Sequence, residues 1–219
     1  MHTRKTIQKK YRQIIFDFDG VLVESNAIRI EGFQELFQNY PENQVAHLVA
    51  YVRENGGISR YKKIEYFLKN ISKEFFDDKM IDQLAVKYSS LVKKKVIEAQ
   101  AVKGSLDFLN KFSPCYGFAI VSGSDQKELQ DVCRKRGIDH FFSNILGSPR
   151  EKSDNINDLV VARGWDRGVI LYVGDSKNDL DAARANSIDF LGRSSGLENW
   201  EQTDQDHILD LQFLPDYLA

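Results

Sequence analysis

The chain has 219 residues, 42% of them hydrophobic and 28% charged, with a formal net charge of -2 at neutral pH. That balance suits one large soluble domain, or a domain carrying a sizeable insertion. It excludes the strongly basic profile of a nucleic-acid binder, and no apolar run approaches the length needed to span a membrane. The two cysteines, Cys115 and Cys133, have no CxxC spacing, so they read as small buried or semi-buried residues of a reducing, cytoplasmic compartment. The basic stretch from Met1 to Lys10 lacks the apolar core of a signal peptide. The four histidines have no metal-ligand spacing.

The first predicted element is a strand through Ile14-Ile15-Phe16, followed at once by Asp17-Phe18-Asp19-Gly20. Such a β-branched, aromatic run suits a strand buried on both faces of a sheet. Period-two geometry puts Asp17 and Asp19 on the same side of an extended chain, and Gly20 permits a turn there. Ionised groups at the end of a buried strand cost several kcal/mol unless paired or metal-bound. The pair therefore marks a site, and a divalent-metal site in particular. A calcium loop of the helix-loop-helix type fails on register: aligning Gly20 with its glycine puts Ile15 at the first ligand position and Asn26 where a glutamate belongs.

From about residue 24 to about residue 100 the periodicity is helical. Ile30, Phe33, Leu36 and Phe37 share one face before Pro41, and Val45, Leu48, Val49 and Val52 share another before Gly56-Gly57. Ile64, Phe67, Leu68 and Ile71 mark a third helix, and Ile81, Leu84, Tyr88, Leu91 and Val92 a long fourth one. The run Lys93-Lys94-Lys95 near its end suits the helix dipole and reads as a solvated terminus.

Beyond Lys103 strand and helix alternate. Helices are expected over 104–112, 126–136, 152–163 and 177–186, and strands over 116–121, within 141–146, over 169–173 and over 188–191. The tail after residue 200 carries no clear pattern. Alternation of this kind specifies a parallel sheet with right-handed crossovers. The fold class is thus α/β, a Rossmann-like three-layer core with an inserted all-helical unit. The core takes residues 1–23 and 101–219, and the insertion takes 24–100.

The strong strands end in polar residues: Asp17 and Asp19, then Ser122 and Ser124 around Gly123, then Asp175 with Asp179 four residues on. Lys152 opens a helix after the third strand. A parallel sheet directs these termini to one edge, so the groups converge. Carboxylates bind a hard cation such as Mg2+, which bridges to phosphate oxygens. A serine hydroxyl with backbone N–H groups suits the remaining phosphoryl oxygens, and a lysine offsets the negative charge.

Asp17-Phe-Asp19-Gly-Val, Val121-Ser122-Gly, Lys152 and Gly174-Asp175-Ser-Lys-Asn-Asp179 together resemble the four motifs of the haloacid dehalogenase (HAD) superfamily, in its phosphatase branch with a helical cap. The resemblance implies an Mg2+-dependent phosphatase acting on a small phosphomonoester, without nucleic-acid or membrane partners, as a monomer or homodimer. Asp17 would be the nucleophile that becomes an aspartyl-phosphate. Asp19 would be the acid and base. Asp17, the backbone carbonyl of Asp19 and Asp175 would hold Mg2+, with Asp179 completing the cluster. Ser122, Gly123 and Lys152 would bind the transferring phosphoryl, with Lys177 as the competitor for the lysine's role. Gly56-Gly-Ile-Ser-Arg60 resembles the cap loop of β-phosphoglucomutase-like members, which makes Arg60 and Lys63 the candidate substrate residues of the cap. A sugar phosphomutase is the alternative, although Arg29 stands where such mutases carry a histidine. A non-catalytic protein of the same fold is a third, opposed by the presence of both catalytic aspartates.

Overall fold

The computed structural model describes residues 10–219. The expectations for the basic N-terminal stretch, and for the part of the core before Lys10, fall outside the described residues. The central strand β1 (Gln13–Phe16) pairs in parallel with β2 (Gly117–Asp125) on one side and β4 (Ile170–Gly174) on the other. β3 (Asn144–Ser148), β5 (Asp189–Arg193) and β6 (His207–Ile208) complete a six-stranded sheet of order β3-β2-β1-β4-β5-β6, parallel throughout.

Alternation along β1 builds the layers. Ile14 and Phe16 enter one apolar cluster, where Phe108 of α5 (Ser105–Phe112) and Leu129 and Val132 of α6 (Gln126–Lys135) also lie. Ile15 faces the other way, into a cluster with Ile156 and Leu159 of α7 (Lys152–Arg163) and Leu180 and Ala183 of α8 (Lys177–Ala185). With helices on both faces, the continuous Ile-Ile-Phe run needs no polar alternation.

Between β1 and α5 the chain is helical apart from its turns: α1 (Asn26–Leu36), α2 (Glu42–Glu54), α3 (Arg60–Tyr66) and α4 (Asp78–Glu98). The third predicted helix is split, because α3 widens at Phe67–Ser72 into a π-helical turn that ends at Lys73 in a left-handed conformation. Its predicted apolar residues Ile64, Phe67, Leu68 and Ile71 are all buried. The lysine run at the end of α4 carries exposed or half-exposed ion pairs, to Asp131, Glu98 and Glu35. The insertion leaves and re-enters the core side by side: Val23 bridges Ala101, and Glu24 N–H donates to the Gln100 carbonyl at 2.9 Å.

Three differences from the sequence expectations have local causes. The second strand does not end at Val121 but continues to Asp125, with a register slip against β3 over that stretch. The third strand is displaced toward the chain's C-terminal end, a 3-10 turn over Asp139–Phe141 taking the expected start. The tail, which carries no pattern, supplies β6 and buries Ile208, Leu211 and Leu214 against the core. Among the described residues no helix is long and apolar enough to cross a membrane.

Candidate active site

The strand ends and the insertion enclose a cavity of about 70 Å3, whose wall includes Asp17, Ser122 and Asp175 from the core and Phe33, Arg60 and Lys63 from the insertion. Asp17 follows β1 directly. Its Oδ1 accepts the Phe18 N–H at 2.7 Å and its Oδ2 lies 3.0 Å from Lys152 Nζ. Burial pushes the Asp17 carboxyl well above its ordinary range. The Lys152 charge opposes that shift, while Asp179, Asp175 and Asp19 add to it.

Lys152, the first residue of α7, is buried and bridges Asp17 and Asp179, the latter at 2.5 Å. Burial works against its charge, but the two carboxylates prevail and raise its pKa. Lys177 occupies the same position on α8, yet it is exposed and pairs with Asp181 at 2.7 Å. Of the two lysines, Lys152 is the one that the structure brings to the acidic cluster.

Asp179 is saturated with donors. Its Oδ1 accepts from Lys152 and from the Tyr172 hydroxyl at 2.6 Å, and its Oδ2 from the Ser176 hydroxyl at 2.6 Å and the N–H groups of Ser176 and Asp175. It is thus built to hold Lys152 and the turn that presents Asp175. The Tyr172 hydroxyl has one proton and two acceptors within reach, the carboxylate being closer than the Val121 carbonyl at 3.0 Å. Tyr172→Phe is therefore expected to cost about 1–2 kcal/mol in urea denaturation; a loss near zero would mean that Asp179 does not depend on that donor.

Asp175 Oδ2 accepts from Asn26 Nδ2 at 2.7 Å. Burial, then the Asp179 charge, push the Asp175 carboxyl up to about 7. Carboxylate oxygens of Asp17, Asp175 and Asp179 lie within 4.8 Å of one another, all buried. A cluster with two raised carboxyls and one nearby ammonium is short of positive charge, so its donor set fits a hard divalent cation. Gly20 is required beside it: at φ 73°, a Cβ there would stand 2.0 Å from Asp175 Oδ2.

The Asp19 side chain turns away from this cluster. Oδ1 accepts from the Ser25 hydroxyl at 2.5 Å and Arg29 Nε at 2.9 Å, and Oδ2 accepts from the Ser124 hydroxyl at 2.6 Å. Burial opposes its ionisation, but the Arg29 charge and the two hydroxyls hold the carboxyl below its ordinary value. Ser122 is buried at the cavity wall, where its Oγ accepts the Ser124 N–H at 3.2 Å.

The loop before α3 closes the site from above. A Cβ on Gly123 would lie 2.1 Å from the Gly57 carbonyl oxygen, and a Cβ on Gly57, at φ 78°, would lie 3.0 Å from Lys152 Nζ. Arg60 is neither an exposed arginine nor a free one. It is 4% exposed, and its guanidinium donates twice to Glu128, at 2.7 and 2.8 Å, and to the Ser89 hydroxyl. Glu128, on α6, also accepts from Arg29 at 2.5 Å. Burial resists its charge, but the two arginines hold its carboxyl far below the usual range. Glu128 is absent from the sequence reading. Three residues after Asp125, whose side chain caps α6, it reads as an ordinary first-turn acid.

Lys63 lines the same cavity at 8% exposure. Burial, then the charge of Lys152, lower its ammonium to about 8.

A buried acidic triad and lysine at the carboxyl edge of a parallel sheet, beneath a helical insertion, define a phosphoryl-handling hydrolase class. Residues 14–192 match the family model described as haloacid dehalogenase-like hydrolase. The chain belongs to that family and is an enzyme of its phosphatase branch. It is 26% identical over 211 residues to a phosphoglycolate phosphatase of Vibrio cholerae serotype O1, covering 88% of each chain. Among solved structures it resembles a haloacid dehalogenase-like hydrolase from Streptococcus pneumoniae, with a TM-score of 0.71, 24% identity and coverage of 95% of this chain and 99% of that one. It also resembles a Bacillus subtilis HAD-hydrolase bound to magnesium, with a TM-score of 0.67, 20% identity and coverage of 96% and 99%.

Proposed function

We propose that the protein is an Mg2+-dependent phosphatase that hydrolyses a small, soluble phosphomonoester through an aspartyl-phosphate on Asp17. The observation that carries this reading is Asp17 itself, a buried carboxylate at the wall of a cavity, between Lys152 and the carboxylates of Asp175 and Asp179. Asp17 Oδ attacks phosphorus, and the bond to the ester oxygen breaks as the new P–O bond forms. Ser122, the N–H of Gly123 and Lys152 hold the phosphoryl oxygens. Asp19 protonates the departing alkoxide and later takes a proton from the water that hydrolyses the aspartyl-phosphate. Its pairing with Arg29 favours the ionised form needed for the second step, so the first step requires that contact to loosen.

Asp17, Asp175 and the backbone carbonyl of Asp19 would hold Mg2+, with Asp179 behind them. Bound there, the ion offsets negative charge on the transferring group. The Bacillus subtilis protein of the same fold is bound to magnesium, which favours that ion over other hard cations. Residues 24–100 act as a cap that excludes bulk water, moving on the paired linkers at Val23 and Ala101. The relatives' activity makes 2-phosphoglycolate the first substrate to test. The free thiols Cys115 and Cys133 favour a reducing, cytoplasmic setting.

The test is phosphate release from a panel of phosphomonoesters. Release is expected only with Mg2+, to be lost in a chelator and restored by added metal. Equal release with and without the metal would overturn the metal assignment, and none from any compound would overturn the phosphatase reading.

A further inference from the structure

Among the described residues, every cation at the site but one is held by carboxylates. Lys152 is held by Asp17 and Asp179, Arg29 by Asp19 and Glu128, and Arg60 by both oxygens of Glu128. Lys63 Nζ has no hydrogen bond and no carboxylate within ion-pairing reach among the described residues. The Phe33 ring centroid lies 5.9 Å away, at the outer limit of a cation–π contact, and the charge of Asp19, already paired with Arg29, favours the ammonium only from beyond ion-pairing reach. An ammonium at 8% exposure without a partner is costly. Nothing in the packing of α3 demands a charge at that position.

We propose that Lys63 is the specificity-determining residue, and that it recognises a carboxylate carried by the phosphorylated substrate. The inference rests on the phosphatase reading for the phosphoryl end and adds the chemistry of the other end. Glu128 is what makes the recognition selective. Together with Asp19 it neutralises Arg29 and Arg60 and leaves one unpaired cation on the insertion side, which matches a single negative charge and not a second phosphate dianion. Asp17 and Lys63 line the same cavity, so one molecule carries both anions. The substrate class is therefore a small phosphorylated carboxylic acid. Arg60, the other cap candidate from the sequence, serves to position Glu128 and the loop.

Two phosphonates of equal length test this without turnover: 3-phosphonopropionate, and propylphosphonate, in which a methyl replaces the carboxylate. Binding to the Mg2+-loaded protein is measured by calorimetry for wild type, Lys63→Met and Lys63→Arg. Wild type is expected to prefer the carboxylated probe about 10- to 100-fold, as a charge-assisted contact provides. Lys63→Met should lose that preference and Lys63→Arg keep part of it. The ratio of kcat/KM for 2-phosphoglycolate over ethyl phosphate should fall in parallel. Equal preference in wild type and Lys63→Met overturns the assignment of Lys63 while leaving the phosphatase intact. Failure of wild type to bind either phosphonate or to hydrolyse any ester overturns both.

Discussion

Replacing Asp17 by asparagine is expected to lower kcat by about 10^4- to 10^6-fold, the scale seen when a covalent nucleophile is removed, in a protein that remains folded. An amide cannot form the acyl phosphate, and the change also removes one of the three clustered carboxylates. The fold should not suffer, because the ionised carboxylate is a burden on it. Burial, with the nearby Asp179, Asp175 and Asp19 charges, raises the folded pKa well above the ordinary 3.8 despite Lys152. A carboxyl raised on folding holds its proton to higher pH than the unfolded chain does, so it costs stability increasingly as pH rises above 3.8. Metal-free Asp17→Asn should therefore melt no lower than wild type at pH 7, and the difference should shrink as the pH falls toward 3.8. Added Mg2+ should reverse the order. A ligand at 100 times its Kd stabilises by about 2.7 kcal/mol, a gain the variant largely forgoes. Substantial turnover by Asp17→Asn would sink the covalent mechanism.

The parts of the site legible in the sequence were those where local chemistry contradicts its surroundings. Two aspartates directly after Ile-Ile-Phe, and another after Ile-Leu-Tyr-Val, have no ordinary reason to end buried strands. The alternation of elements beyond Lys103 specified the parallel sheet for the same reason: it is carried by many residues at once. What stayed hidden depends on contacts remote in the chain. Lys152 and Lys177 each open a helix, and only packing buries one and exposes the other. Ser122-Gly-Ser-Asp125 has the composition of a turn, yet it stays in the sheet because its backbone still meets β3. The two residues of β6 are too few to show a period. Glu128 and Arg60 are 68 positions apart, and neither has a local pattern that announces an ion pair.

That ion pair sets the second large effect. Glu128→Gln is expected to destabilise the protein by about 3–5 kcal/mol, the usual cost of breaking a buried pair from one side. The carboxylate accepts from Arg29 and twice from Arg60, joining the first and third helices of the insertion to α6 of the core. An amide of the same size keeps one acceptor but turns an NH2 group toward guanidinium donors, and it leaves two buried cations short of their counter-charge. The pH dependence separates this from a loss of packing. Glu128 has a folded pKa depressed below its ordinary 4.5: burial works against its charge, and the hydrogen bond from Arg60 and the charge of Arg29 outweigh it. Its contribution is therefore fully present above 4.5 and is lost as the pH falls through the folded value. Urea denaturation should show a gap between wild type and Glu128→Gln that is constant from pH 8 to pH 5 and narrows below 4.5. A gap that persists unchanged in acid would mean that shape, not charge, holds the insertion to the core. A gap below about 1 kcal/mol at pH 7 would reduce the contact to the worth of a surface pair.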